Sequence, residues 1–85
     1  MLFLDHSHNV FNIDKNLLNT EEVLLKALIK AQSNGLFIID DEIVSVDICS
    51  NGDIQIWGRD LTVTLFPVEE SDKEDIEGIE IKNIK

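Results

Sequence analysis

The chain of 85 residues is 44% hydrophobic by composition, which is enough for one core in a chain too short for two domains. Its 17 acidic residues against 7 basic ones give a formal net charge of −10, and a surface of that sign repels the phosphates of DNA and RNA. We therefore expect a single domain over residues 1–85 that binds no nucleic acid directly. A protein with a basic groove would instead be attracted to it.

The sequence also argues against a membrane or secreted protein. No apolar run approaches the roughly 20 residues that span a bilayer, and the first residues lack the basic start and long apolar stretch of a signal peptide. Cys49 is the only cysteine, so no internal disulfide can form, as is usual in a reducing compartment. These features predict a cytoplasmic protein with no membrane partner.

Two apolar stretches open the chain. Residues 2–4 are long enough for a short strand, and residues 10–13 are expected to fill one end of the core. Between them, His6 and His8 would point to the same side of a strand. A zinc site needs further ligands at defined spacing, and the only other soft ligand, Cys49, is distant in sequence. We predict neither a metal site nor a cofactor, and elemental analysis of purified protein would test this.

An amphipathic helix is predicted over residues 20–33. Asn19 is a suitable N-cap, and Glu22 follows three residues later to complete a capping box. The apolar stripe consists of Val23, Leu24, Ala27, Leu28 and Ala31, widened by Leu25 and Ile29. Asn34 and Gly35 supply a left-handed stop. A stripe of this width has to pack on an apolar surface.

After Gly35 the apolar period changes from helical to alternating, which is typical of strands. Strands are predicted at 36–39, 43–49, 53–57, 60–66 and 76–84. A three-residue loop at 50–52 would pair Ile48 with Ile54, and by the same register Val46 with Ile56. A two-residue loop there would mix polar and apolar side chains on both faces.

The turn length at Gly58 and Arg59 can be judged in the same way, by whether the apolar side chains fall on one face. A two-residue turn satisfies this condition and is predicted to pair Ile56 with Leu61, and Ile54 with Val63. Both turns agree on one apolar face, which carries Val44, Val46, Ile48, Ile54, Ile56, Leu61, Val63 and Leu65. The helix stripe is the natural cover for this face. We therefore predict an α+β fold, with a single helix packed on one face of an antiparallel meander of about four or five strands.

The opposite face is mostly polar and carries the only tryptophan. Its predicted members are Ser45, Asp47, Cys49, Gln55, Trp57, Thr62, Thr64 and Phe66. An exposed Trp57 beside Arg59 is the kind of anchor that dominates protein interfaces. The alternative is that the N-terminal segment or an acidic loop folds over Trp57. Cys49 has no base nearby in sequence that would make it a nucleophile.

Acidic residues fall into two groups. The first group lies around the hairpins and comprises Asp40, Asp41, Glu42, Asp47, Asp53 and Asp60. The second group comprises Glu69, Glu70, Asp72, Glu74, Asp75, Glu77 and Glu80, and its stretch 69–75 lacks apolar residues and is expected to be a mobile loop. Water solvates carboxylates in such turns and keeps their pKa values ordinary, so no acid/base pair is indicated and we do not expect an enzyme.

In composition and size the chain resembles the small acidic inhibitors and immunity proteins with which phages and bacteria block nucleases and other nucleic-acid enzymes. The resemblance covers no motif and implies a mimic of a phosphate backbone that occupies a basic site on another protein. The residues expected to bind this partner are Trp57, Arg59, Asp53, Asp60, Phe66, Glu69, Glu70, Asp72, Glu74 and Asp75. The alternative is a structural module that forms a homodimer, or joins a larger complex, through a sheet edge or the Trp57 face.

Overall fold

The computed structural model describes the backbone of residues 1–85 and every side chain except that of Glu70. The described backbone contains one α-helix, α1 (Glu21–Ser33), and one six-stranded sheet. The strands are β1 (Leu2–Leu4), β2 (Val10–Ile13), β3 (Ile43–Ile48), β4 (Ile54–Gly58), β5 (Thr62–Pro67) and β6 (Ile81–Ile84). Across the sheet they lie in the order β3-β4-β5-β1-β2-β6.

The sheet is mixed, and it is larger than the sequence predicts. Four neighbouring pairs are antiparallel, but β6 runs parallel to β2, with Val10 opposite Ile81. The chain leaving β5 therefore crosses β1 and β2 before it enters β6, as a connection between parallel strands must. The predicted α+β class with a single helix is confirmed, whereas the antiparallel meander of four or five strands matches only in part.

Helix α1 is capped by Thr20 and not by the predicted Asn19. The hydroxyl of Thr20 accepts a hydrogen bond from the backbone N–H of Val23 at 3.1 Å, and Thr20 has the extended backbone that an N-cap needs. Asn19 cannot take this role because it ends a short 3₁₀ helix, Lys15–Leu18, with helical dihedral angles. The predicted start of the helix is therefore wrong by one residue.

The C-terminal end of α1 has the predicted left-handed stop, with Gly35 at φ +92°. The strand predicted at 36–39 is wrong, because this stretch has no strand pairing in the described backbone. The side-chain amide of Gln32 donates to the backbone carbonyls of Ile39 at 3.1 Å and Asp41 at 2.8 Å. These carbonyls are therefore bonded to the helix, and the segment is irregular while Ile39 remains buried.

The core lies between α1 and one face of the sheet, which we call the inner face. Its largest fully buried side chains are Phe3, Phe11, Ile13, Leu24, Leu28, Ile54, Ile56, Leu65 and Ile84. On the apolar face predicted from the two turns, the side chains of Val46 and Val63 point into the core. Val46 is buried and Val63 is partly buried. Two residues predicted to belong to it, Val44 and Leu61, are instead exposed at 55% and 48%.

Val44 is exposed because β3 contains a bulge. Ile43 pairs with Gly58 and Ser45 pairs with Trp57, so Val44 is an extra residue between two ladder positions. The bulge shifts the alternation of side chains between the two faces by one residue. Ile43, at 5% exposure, therefore lies in the core in place of Val44. Strict alternation could not anticipate this exchange.

Leu61 is exposed because the turn between β4 and β5 lies one residue further along the chain than predicted. The backbone N–H of Gly58 donates to the carbonyl of Leu61 at 2.7 Å, which makes Arg59 and Asp60 the turn residues. Ile56 then pairs with Val63 rather than Leu61. The register slips by two residues, so each side chain keeps its predicted face while Leu61 moves to the tip of the hairpin.

The C-terminal strand is shorter than predicted, covering Ile81–Ile84 and not 76–84. Before it, a 3₁₀ turn, Glu70–Asp72, lies in the stretch predicted to be a mobile loop. Val10 faces away from α1, since its neighbour Phe11 points into the core, yet Val10 is fully buried. This burial fits a crossover that passes over β1 and β2 on that outer face. No helix in the described chain has the length and hydropathy to cross a membrane.

Candidate interaction surface

Trp57 lies on the outer face of the sheet, the face turned away from α1. It pairs with Ser45 on one side and Thr62 on the other, and it is 40% exposed. Its indole Nε1 donates a hydrogen bond to Oδ2 of Asp47 at 2.8 Å. Asp47 lies on the neighbouring strand, diagonally across the ladder, so this bond fixes the ring while much of the side chain stays accessible.

The hairpin that follows Trp57 is held by one carboxylate. Oδ2 of Asp41 accepts hydrogen bonds from the backbone N–H groups of Asp60 at 2.6 Å and Leu61 at 3.0 Å. Its Oδ1 accepts a third from Glu42 at 2.8 Å. The bond from Asp60 contributes most to lowering the pKa of Asp41 below the ordinary value of 3.8, and the bond from Leu61 contributes next. Asp41 therefore has a structural role and is not a freely solvated charge.

Gly58 allows this carboxylate to approach. A Cβ atom added at Gly58 would lie 2.6 Å from Oδ2 of Asp41 and 2.9 Å from its Cβ. Gly58 was predicted to be a turn residue, but it is the last residue of β4 and lies close to the side chain of Asp41. Its role is to leave room for Asp41.

Arg59 and Asp60 occupy the turn beside Trp57, one residue further along the chain than the predicted turn at Gly58 and Arg59. Arg59 forms an ion pair with Glu42 at 3.7 Å, and both side chains are about 70% exposed to solvent, so the pair contributes little to stability. Asp60 is exposed, and its side chain forms no ion pair among the described residues. This end of the sheet therefore carries acidic groups that remain available to a partner.

Asp53 and Phe66 lie together at the opposite end of β4. The register that pairs Ile54 with Leu65 puts Asp53 beside Phe66, and the ring of His6 contacts Phe66 edge-on at 4.9 Å. Strands rise about 3.3 Å per residue, so Asp53 is roughly 13 Å from Trp57. The structure thus divides the predicted partner-binding residues between two ends of one face.

The remaining predicted residues lie in the crossover, residues 69–80, which begins near Asp53. Gly52, the neighbour of Asp53, is close to Pro67, since a Cβ added there would be 3.1 Å from the proline Cγ. The exposed acidic side chains of this segment are Glu69, Glu74, Asp75, Glu77 and Glu80, and none of them forms an ion pair with a described side chain. Asp72 is partly buried and accepts a hydrogen bond from the N–H of Glu69 at 3.1 Å. The side chain of Glu70 lies outside the described residues.

The histidines and the cysteine are not gathered in one place. His6 contacts Phe66, His8 lies in the following turn, and Cys49 is half-buried at the turn between β3 and β4. Among the side chains that the structure describes, no three His, Cys, Asp or Glu groups are arranged as metal ligands. Two open grooves, about 510 and 540 Å³ in volume, lie near the C-terminal residues, and no predicted partner-binding residue lines either of them.

Sequence reasoning missed three features of this surface. The exposed Val44 and Leu61 lie at the same end of the sheet as Trp57, and Asp41 organises that end. None of these leaves a local signal, because each depends on residues distant in the chain. No protein-family model, no curated protein and no solved structure matches this chain.

Proposed function

We propose that the protein is an inhibitor or immunity-type protein that occupies a basic site on another protein. The observation that carries this proposal is the acidic crossover, which holds seven acidic residues and one lysine between residues 69 and 80, a net charge of −6 out of −10. Its exposed carboxylates have no ion-pair partner among the described side chains. Carboxylates in this state are available for a cationic partner.

The position of the crossover supports the same function. It passes over β1 and β2, and Trp57 lies on the outer face of β4, two strands from β1. Neighbouring strands are about 4.8 Å apart, so one partner surface can reach the charged segment and the aromatic ring together. Unpaired charge of one sign accelerates association with an oppositely charged cleft, whereas buried aromatic area supplies much of the affinity.

The test is affinity capture from the native host with two variants of matched net charge. Glu74→Gln/Asp75→Asn removes two negative charges from the crossover, and Asn16→Lys/Asn19→Lys adds two positive charges at exposed positions near α1. We expect a captured protein with a basic surface, released by raised salt, lost with the first variant and retained by the second. Retention that is indifferent to salt and to both variants would refute the proposed function.

A second candidate function is assembly through the edge strand β6. The N–H of Asp14 donates to the carbonyl of Ile84 at 3.4 Å, so Ile84 faces β2 and the backbone groups of Ile81 and Asn83 face outward. Ile81 is 44% exposed. An outward edge of this kind can pair with another strand. Light scattering on the purified protein distinguishes the two functions, because assembly requires a stable oligomer and inhibition does not.

A further inference from the structure

The two residues whose exposure contradicts the apolar pattern lie beside the exposed tryptophan. On one side, Gly58 of β4 pairs with Ile43, the residue that precedes Val44. On the other side, the backbone N–H of Gly58 donates a hydrogen bond to the carbonyl of Leu61. Trp57 is the preceding residue of the same strand. We call Val44, Trp57 and Leu61 the hairpin end; their exposed fractions are 55%, 40% and 48%. Three large apolar side chains are thus accessible within one residue position of Gly58.

Two features of the hairpins produce this exposure. The bulge in β3 places Val44 outside the regular alternation, and Leu61 lies directly beside the two-residue turn at the tip of the β4–β5 hairpin. Without the bulge, alternation would keep Val44 on the inner face. A departure from local consistency commonly occurs at a functional site, and neighbouring exposed apolar side chains commonly mark an interface.

The hairpin end is surrounded by negative charge. Asp40, Glu42 and Asp60 are exposed residues of the adjoining loop and turn. Asp47 lies beside the indole of Trp57 on β3. Arg59, in the adjoining turn, is the one cation among these residues, and it is paired with Glu42. A partner that buries the apolar side chains must therefore bring positive charge to the rim of the contact.

The hairpin end is also held in place before any partner arrives. Asp41 fixes the turn through Asp60 and Leu61, and its backbone carbonyl is bound to Gln32 of α1. The indole of Trp57 is fixed by Asp47. Ordering these side chains beforehand reduces the entropy lost on binding, which is how an anchor of a few residues gains affinity.

We propose that the hairpin end is the apolar anchor of the inhibitory surface, and that it fits a protein partner with an apolar patch flanked by lysine or arginine. This inference rests on the proposed function and makes it more specific. It assigns the affinity to Val44, Trp57 and Leu61, while the acidic crossover accelerates the encounter.

A defined probe tests this chemistry. The probe is a synthetic amphipathic helical peptide with leucine on one face and lysine on the other, and Trp57, the only tryptophan, reports binding through its fluorescence. We expect saturable binding with a blue shift of the emission, because the peptide removes water from the indole. A peptide of the same composition, with its leucines scattered around the helix, should bind about tenfold more weakly or worse.

Variants separate the anchor from the charge. Val44→Thr/Leu61→Ser should weaken binding of the amphipathic peptide about tenfold. The control Val23→Thr/Ile29→Ser, which changes two exposed apolar residues of α1, should leave binding unchanged. Unchanged affinity of the first variant would overturn the anchor, as would failure of the wild type to bind the probe. The proposed function would survive this result if the loss of Glu74 and Asp75 still abolished capture of the basic partner.

Discussion

Glu21, in the first turn of α1, accepts a hydrogen bond from the backbone N–H of Ile48 at 2.8 Å through its Oε2. Ile48 lies at the end of edge strand β3, whose outward N–H groups would otherwise be open to pairing with another chain. A carboxylate at this place is also favoured by the positive end of the helix. One side chain therefore protects part of the exposed edge of β3 and joins it to the helix.

Glu21→Ala should reduce the free energy of unfolding by about 1 kcal/mol, because it removes this hydrogen bond and leaves the N–H of Ile48 without its partner. Urea denaturation measures the change. Glu22→Ala is the control, since Glu22 lies in the same turn but forms only an exposed ion pair with Lys26 at 3.3 Å. Equal effects of the two substitutions would mean that the bond to Ile48 contributes nothing.

Asp41 should make the stability depend on pH in the acid range. Its folded-state pKa lies below the ordinary value of 3.8, so its contribution is complete above that value and is lost as pH falls through the folded-state pKa. Asp41→Asn should remove this part of the acid destabilisation and lower stability at neutral pH. Urea denaturation across the acid range measures it, with Asp40→Asn as control, since Asp40 is exposed. Parallel pH profiles for wild type and Asp41→Asn would contradict the assignment.

Gly58→Ala should destabilise the protein by about 1–3 kcal/mol through a steric clash. The added Cβ would lie 2.6 Å from Oδ2 of Asp41. If this is the cause, Asp41→Gly should remove most of the additional cost of Gly58→Ala, and a double-mutant cycle measures the coupling. Additive effects would show that Gly58 is required for another reason.

The bulge in β3 and the register of the β4–β5 hairpin can be tested by comparing exposed and buried apolar positions. Val44→Thr and Leu61→Ser should each change the free energy of unfolding by less than about 0.5 kcal/mol, as is usual for exposed sites. Leu65→Ala should cost about 2–5 kcal/mol, because Leu65 is fully buried beside Ile54. Thermal or urea denaturation of the three variants decides it, and a large loss for Leu61→Ser would favour the register predicted from the sequence.

The parts of the fold that depend on neighbouring residues could be predicted from the sequence. The turn between β3 and β4 has the predicted three-residue loop, with Gly52 at φ +95° and Ile48 opposite Ile54. This turn could be predicted because the alternation on both sides and a glycine with positive φ fix its register locally. The end of α1 at Gly35 could be predicted for the same reason.

The parts that depend on distant residues could not be predicted. The turn between β4 and β5 is positioned by Asp41, which bonds Asp60 from 19 residues away. The pairing of β2 with β6 joins residues about 70 positions apart, and no local pattern specifies a parallel partner. For the interaction surface, alternation placed Trp57 on the outer face, but the exposure of Val44 depends on a bulge that it does not reveal.

The position of β1 between β5 and β2 divides the sheet into two halves that meet along a short seam. Only Phe3 with Pro67 and Leu4 with Phe66 pair across it, and Pro67 has no N–H to donate. The half formed by β3, β4 and β5 consists of hairpins that close locally, whereas the seam joins residues more than 60 positions apart in the chain. Amide protons along this seam should therefore exchange with solvent earlier than those inside the β3–β4 hairpin, because fewer paired residues hold the seam together.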